Sequence, residues 1–267
     1  MDPIPVLQAV PADPASVVRV ASSTPLPPEF AGQLETRDWA FVAENWHFLA
    51  LGTAVTVLLT ATSLALGFLL GFPAGTVEFY GDGWLQAVVS TVGVFLRGTP
   101  IVVLIVLFAF GLPIPRIGTV PVLEVRLSNF LVAILALGLR SAAYQAQVFR
   151  GAIASVGEGQ MRAARAVGMT EMSAIRHVVF PQAVRRSIPG FQNEFTIVLK
   201  DTSIAFAIGI AELLTQATRL YLRPGRDTAV TEVVLTISAV YFVLTFGTNR
   251  TLDYLDEAYA VPGEGSG

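Results

Sequence analysis

Arg97, Arg140, Lys200 and Asp201 are ionised side chains within the apolar runs of this 267-residue chain. An arginine or lysine at the centre of a bilayer costs about 2.5–3.5 kcal/mol on insertion scales. Such a residue therefore faces a cavity, an opposite charge or the membrane interface. Arg97 precedes Gly98-Thr99-Pro100, where proline leaves a carbonyl without its helical donor. It can tie that kink or an acidic neighbour, or line a polar path with Thr99. Arg140 lies mid-way along an apolar run, so an ion pair inside a helix bundle and a wall of a pathway are both open to it. Lys200 and Asp201 are adjacent and point about 100° apart on a helix, so each serves a different neighbour. Thr202 and Ser203 can bond back to their own helix or present hydroxyls to a polar surface.

Other chemistry is missing from the sequence. There is no cysteine, which removes disulfides, thiol nucleophiles and thiolate metal sites. No nucleophile motif or cluster of His, Asp and Glu marks a membrane enzyme, and His47 and His177 do not make a metal site. A phosphate-cradling Walker A loop needs Gly-x-x-x-x-Gly-Lys-Ser/Thr. The one lysine, Lys200, sits between Leu199 and Asp201. This chain is therefore expected to bind no nucleotide and no other cofactor of its own. A net charge of −3 gives no field that would draw in nucleic acid.

The elements that position these residues read as membrane helices. The chain is 53% hydrophobic and 14% charged, with a mean hydropathy of +0.63. Soluble proteins carry about a quarter charged residues. Spanning helices need about 20 mainly apolar residues. Five segments qualify: Phe48–Phe72, Leu85–Leu112, Phe130–Phe149, Phe191–Leu214 and Ala229–Gly247. The second and fourth are each interrupted by charge. Trp39, Phe41 and Trp46 precede the first as an interfacial aromatic belt would. The expected organisation is all-α: an N-terminal flexible extension over residues 1–38, a transmembrane domain over 39–250 and a tail over 251–267. The extension, rich in proline and alanine, lacks the basic and apolar regions of a signal peptide. Glu212 and Glu232 are expected near a membrane face, with no assigned role.

Five spans place the termini on opposite sides, with residues 151–190 looped between the third and fourth. That loop carries Arg162, Arg165, Arg176, Arg185 and Arg186 against Glu158 and Glu171. The positive-inside rule then favours the cytoplasm, although Arg219, Arg223 and Arg226 lie on the opposite side. Within "GQMRAARAVGMTEMSAIRHVVFPQA", Gln160–Val167 favours helix and Gly168 can take the left-handed turn that ends one. Thr170 can cap a second helix with Glu171 in its first turn. Ile175, Val178, Val179 and Ala183 share one face of it, and Pro181 is expected to stop or kink it. Small residues at Ala163, Ala164 and Ala166 would let a partner backbone approach. Such a segment is an ordinary connector or a docking knob for a soluble partner.

"AARAVGM" followed by "IRHVVFPQAVRRSIP" resembles the coupling loop of ATP-binding-cassette importer permeases. "RGTP", "FGLP", "AAYQAQVFRGAI", "NEF" and "KDTSIAFAIGIAEL" resemble, in that order, the polar amino-acid subfamily. The resemblance covers about Trp39 to Arg250. It implies a type I importer permease fold in the cytoplasmic membrane, multi-pass in the lipid bilayer. Two ATPase subunits holding ATP and Mg, a second permease (identical or homologous) and an extracytoplasmic solute-binding protein are the implied partners. ATPase coupling is then expected at Arg162, Ala163, Ala164, Gly168 and Pro181, and a substrate pathway at Arg97, Thr99, Arg140, Gln147, Lys200, Asp201, Thr202 and Ser203. Two positions depart from the family. Arg162 stands where the loop usually has glutamate, which implies an acidic counterpart on the ATPase. Gln147 ends a Tyr-x-Ala-Glu pattern, which removes a cation-binding carboxylate and, with Arg140 meeting a substrate carboxylate, points to neutral or acidic amino acids. The competing class is an ion-gradient-driven secondary amino-acid transporter using Asp201 or Glu232, which would need more helices or an inverted repeat.

Overall fold

A computed structural model describes residues 38–115, 117–121, 125–156, 158–223 and 229–259. The expected N-terminal extension, apart from Asp38, lies outside these residues, as does Arg226. The described chain is helical but for a two-residue antiparallel ladder, β1 (Thr119–Val120) with β2 (Val125–Arg126). In chain order the helices are α1 (Trp39–Glu44), α2 (Trp46–Tyr80), α3 (Gly83–Gly98), α4 (Ile101–Gly111) and α5 (Leu127–Val156). Then follow α6 (Glu158–Ala166), α7 (Glu171–Ala174), a π-helical turn (Ile175–Val179), α8 (Phe180–Arg186) and α9 (Ile188–Asp201). A 3₁₀ stretch (Thr202–Ile208), α10 (Leu213–Tyr221) and α11 (Val230–Tyr259) complete the order.

By length and composition, α2, α5 and the Val230–Tyr254 part of α11 can each cross a membrane unbroken. The second expected span is bent: α3 and α4 meet at 109° across Thr99-Pro100. Pro100 has no N–H to continue the ladder, and the residue before it is pushed towards extended backbone, as Thr99 shows with ψ 129°. The fourth expected span is divided into α9, the 3₁₀ stretch and α10. Gly209, in the left-handed region at φ 79°, separates the last two.

The first span is longer than its apolar run implied, because α2 continues through Pro73 to Tyr80. Proline inside a membrane helix is tolerated where neighbours and hydroxyl side chains re-satisfy the backbone. Pro73 leaves the Leu69 carbonyl without its helical donor, and three residues on the Thr76 hydroxyl adds a bond to the Phe72 carbonyl at 2.9 Å. The last helix also overruns its expected end at 250, since α11 continues to Tyr259. Gln192 of α9 pins that turn by donating to the Asn249 carbonyl and the Asp253 carboxylate at 3.3 and 2.5 Å.

In lipid no hydrophobic gain draws one apolar helix to another, so close backbone packing has to do it. The α2–α5 contact, the most extensive in the fold, is built that way. Gly67, Gly71 and Gly75 form a stripe along α2. A Cβ on Gly71 would lie 2.8 Å from the Gln145 Cβ, and one on Gly75 2.6 Å from the Ala146 carbonyl oxygen. The two helices run parallel, since 67 meets 141–145 and 75 meets 146–150. Their C-terminal ends therefore lie together, beside α6 and α8, where Phe79 and Tyr80 pack on Ile153, Val156 and Val179. At the other end Phe41, Leu49, Leu213, Leu220 and Val233 form a separate core. Phe41 is buried there, so it is not part of an interfacial belt; Trp39 and Trp46 remain exposed.

Candidate functional site

The coupling segment occupies one end of the bundle. Helix α6 stops at Gly168, whose φ of 88° is the left-handed conformation that ends a helix with least strain in glycine. Thr170 caps α7 by accepting from the Ser173 N–H at 3.3 Å. Ile175, Val179 and Ala183 turn inward and are buried, while Arg176 and His177 face outward. Pro181 neither stops nor breaks this helix. The turn before it widens to π geometry over Ile175–Val179, which relieves the proline ring's clash with the carbonyl four residues back. Ala164 is the inward residue of α6, and Arg162, Ala163, Pro181 and Gly168 are exposed. Val167 and Met172 stand 80% and 73% exposed at the tip. Arg162, Arg165, Glu171 and Arg176 are exposed on the same segment, and Arg162 and Arg165 line a cavity with Glu158 and Glu171.

A joint of five phenylalanines connects this segment to the spans. Phe72 of α2 meets Phe180 of α8 at 4.5 Å between ring centroids and Phe149 of α5 at 5.1 Å, both edge-to-face. Phe191 of α9 meets Phe149 at 5.2 Å, and Phe68 touches both Phe149 and Phe191. Edge-to-face pairs align the positive ring edge with a negative face. Arg186 adds a bond to the Ser155 carbonyl. Each helix entering or leaving the coupling segment is therefore clamped at its base.

The sequence-selected polar residues fall into two groups. In the first, Arg140 of α5 pairs with Asp201 at the end of α9. The Arg140 guanidinium also lies over the Tyr144 ring at 5.2 Å. Asp201 thus serves another helix, as its neighbour Lys200 does not: Lys200 is exposed and has no ion-pair partner among the described residues. Thr202 and Ser203 spend their hydroxyls on the Leu199 and Lys200 carbonyls at 2.7 Å each. Thr99 does the same with Phe95 at 2.8 Å. All three hydroxyls thus bond back to their own helix, and Ser203 also lines a mainly apolar cavity with Phe206, Leu214 and Leu222.

In the second group Arg97 and Gln147 share the wall of a polar cavity of 370 Å³ with Glu78, Gln86, Ser90 and Arg150. Arg97 donates to the Ala143 carbonyl at 2.8 Å, tying the α3–α4 bend to α5. Gln147 donates to the Glu78 carboxylate. Glu78 is only 7% exposed and was absent from the sequence-derived set. Its signal was legible: Gly67, Gly71, Gly75 and Glu78 recur at helical spacing on one face of α2. The carboxylate that Gln147 lacks is therefore supplied from α2, at hydrogen-bonding distance.

Glu212 and Glu232, expected near a membrane face, are both buried. Glu212 caps α10, accepting from the Leu214 and Thr215 N–H groups at 2.8 Å each. Thr56 of α2 accepts from Leu213 N–H at 3.1 Å, so the first turn of α10 is satisfied inside the bundle.

Residues 63–260 match the family described as binding-protein-dependent transport system inner membrane component. The chain belongs to that family. This permease is 30% identical over 231 residues to the probable amino-acid permease protein YxeN of Bacillus subtilis, covering 86% of this chain and 99% of that one. It is 32% identical over 209 residues to the glutamine transport system permease protein GlnP of Escherichia coli K12, covering 78% and 91%. Against the octopine transport system permease protein OccQ of Rhizobium radiobacter the figures are 34% over 212 residues, 77% and 88%. Among solved structures, an amino acid ABC transporter crystallised with histidines superposes with TM-score 0.67 at 28% identity, over 84% of this chain and 99% of that one. The MetNI methionine ABC transporter in an inward-facing form shares the fold, with TM-score 0.62 at 22% identity over 79% and 97%. An all-α, multi-pass permease is thus established, and a secondary transporter driven by an ion gradient is not favoured.

Proposed function

We propose that this permease forms the translocation pathway of an ATP-driven importer of polar amino acids in the cytoplasmic membrane. Two permease subunits, identical or homologous, work with two ATPase subunits that bind ATP and Mg. An extracytoplasmic solute-binding protein delivers the substrate. The carrying observation is the coupling tip: Val167 and Met172 are large apolar residues exposed on a segment that also exposes Arg162, Arg165, Glu171, Arg176 and His177. Exposed apolar residues rimmed by charge mark a protein contact. Arg162 and Arg165 beside them select a groove on the ATPase with acidic residues at its edge, and Ala163, Ala164, Gly168 and Pro181 shape the knob.

The amino-acid class rests on the relatives named for glutamine, octopine and amino acids. The pathway takes its polar residues from Arg97, Thr99, Arg140, Gln147, Lys200, Asp201, Thr202 and Ser203. Arg140 meets a substrate carboxylate only after leaving Asp201. Closure of the ATPase pair would push both coupling segments and bias the spans between two states.

Reconstitution tests the reading. Liposomes holding the permease and its ATPase should accumulate radiolabelled glutamine only with ATP inside and binding protein outside. Val167→Asp with Met172→Asp should release the ATPase on co-purification. Uptake that follows an ion gradient and ignores ATP would sink it.

A further inference from the structure

The cavity between α2, α3 and α5 has the charge pattern of a receptor for a zwitterion. Its wall carries one carboxylate, Glu78, and two guanidiniums, Arg97 and Arg150, with the amides of Gln86 and Gln147 and the hydroxyl of Ser90. Its 370 Å³ lies in the range of about 300–1,000 Å³ occupied by small-molecule sites. Glu78 is held in place from two sides: Gln147 donates to its carboxylate, and Gln86 donates to its backbone carbonyl at 3.1 Å. Arg97 commits an N–H to the Ala143 carbonyl, which fixes the position of its planar fork.

Gly93 of α3 makes room for both charges. A Cβ there would lie 3.1 Å from the Arg97 Nη1 and 3.5 Å from the Glu78 Oε1. The carboxylate and the guanidinium thus flank one small residue, with no salt bridge closing the gap between them. Glu78 is buried while Arg97 is half-buried and Arg150 exposed, and a buried carboxylate without a cationic partner is costly unless something completes it.

We infer that this cavity is a resting site for an α-amino acid within the permease. Glu78 takes its ammonium, and Arg97 and Arg150 take its carboxylate. The wall carries a net charge of +1 from these groups. A ligand that is neutral or negative overall therefore suits it, and a cationic side chain would add charge beside two guanidiniums. The inference rests on the proposal that the subunit carries amino acids. It moves the substrate contact from the Arg140–Asp201 pair to a cavity nearer the coupling end, and makes Glu78 a specificity residue.

The test uses the assembled permease–ATPase complex in nanodiscs without binding protein, probed with radiolabelled glutamine, glutamate and arginine by scintillation proximity. Saturable binding of glutamine or glutamate, with arginine excluded, is expected. Glu78→Gln should weaken it about tenfold or more, the scale of one lost charge-assisted hydrogen bond. Gly93→Ala, which keeps every charge, should weaken it as well, and decides the matter if Glu78→Gln does not assemble. Binding that survives both substitutions but disappears in Arg140→Gln would overturn the assignment in favour of the other pair. So would absence of binding in a complex that still imports glutamine with ATP and binding protein. Failure of that ATP-driven import would instead sink the functional reading itself.

Discussion

Two charge contacts in this permease have opposite characters. Arg140 and Asp201 are joined, with side chains 19% and 20% exposed, whereas Glu78 and Arg97 share a cavity without touching. Removing one partner of a buried ion pair strands the other, which costs about 3–5 kcal/mol; replacing both with neutral groups is often neutral. Partial exposure lowers that figure here. Arg140→Gln and Asp201→Asn should therefore each lower the unfolding temperature of the detergent-purified protein, and the double variant should recover much of the loss. Loss in the double variant equal to the sum of the two single losses would show that the charges act separately. The sequence disclosed that Arg140 and Asp201 needed partners, because a charge in an apolar run demands one. It could not disclose that they were partners of each other, since 61 positions separate them and only the return of α9 along α5 brings them together. Glu78 was overlooked for a different reason. The apolar run of the first span ends at Phe72, so the glutamate lies outside it, and only the continuation of α2 through Pro73 brings it into the bundle.

At the scale of elements, two devices hold the spans and the coupling segment together. The first is the glycine stripe of α2. Gly71→Val should abolish membrane assembly, because even its Cβ would lie 2.8 Å from the Gln145 Cβ with backbone of α5 behind it. Gly151→Ala meets nothing within 4 Å and should be tolerated, with a gain of up to about 1 kcal/mol from reduced chain entropy. Yield of folded protein after detergent extraction separates the two. The second device is the phenylalanine joint. Phe72 touches both Phe149 and Phe180, so it links a span to the coupling segment directly. Phe72→Ala should leave ATP hydrolysis measurable while transport per ATP falls, a loss read by measuring both in one liposome preparation. Equal losses in both would make the joint a folding element only. Helical periodicity revealed the coupling segment's inward face and its glycine turn. It could not reveal the π turn at Pro181, because that widening answers a clash that depends on the helix continuing past the proline.

For the whole molecule, the arrangement of ends carries the argument. Helix α2 runs from the end holding Asn45 to the end holding Tyr80, and α5 runs parallel to it. Arg223, after α10, donates to the Asn45 side chain at 3.0 Å and lies over the Phe48 ring at 5.0 Å. The coupling tip and the Asn45–Arg223 corner are thus at opposite ends of the bundle; by length and composition the described helices give three spans, or four if the bent α3–α4 pair is one, against the five expected. Arginine counts alone were ambiguous because both ends carry several. The absence of cysteine makes the orientation directly testable, since one introduced thiol is the only target for a maleimide. Val167→Cys at the tip and Leu222→Cys at the other corner are 80% and 71% exposed in the native residues. A membrane-impermeant maleimide added to intact spheroplasts should label Leu222→Cys and spare Val167→Cys. Inverted membrane vesicles should give the reverse. Labelling of Val167→Cys from outside would put the knob beyond reach of any cytosolic ATPase, and labelling of both from one side would contradict the placement of the two corners on opposite faces of the membrane. A partner ATPase should also shield Val167→Cys in inverted vesicles, because the apolar tip that makes the thiol accessible is the surface the partner covers.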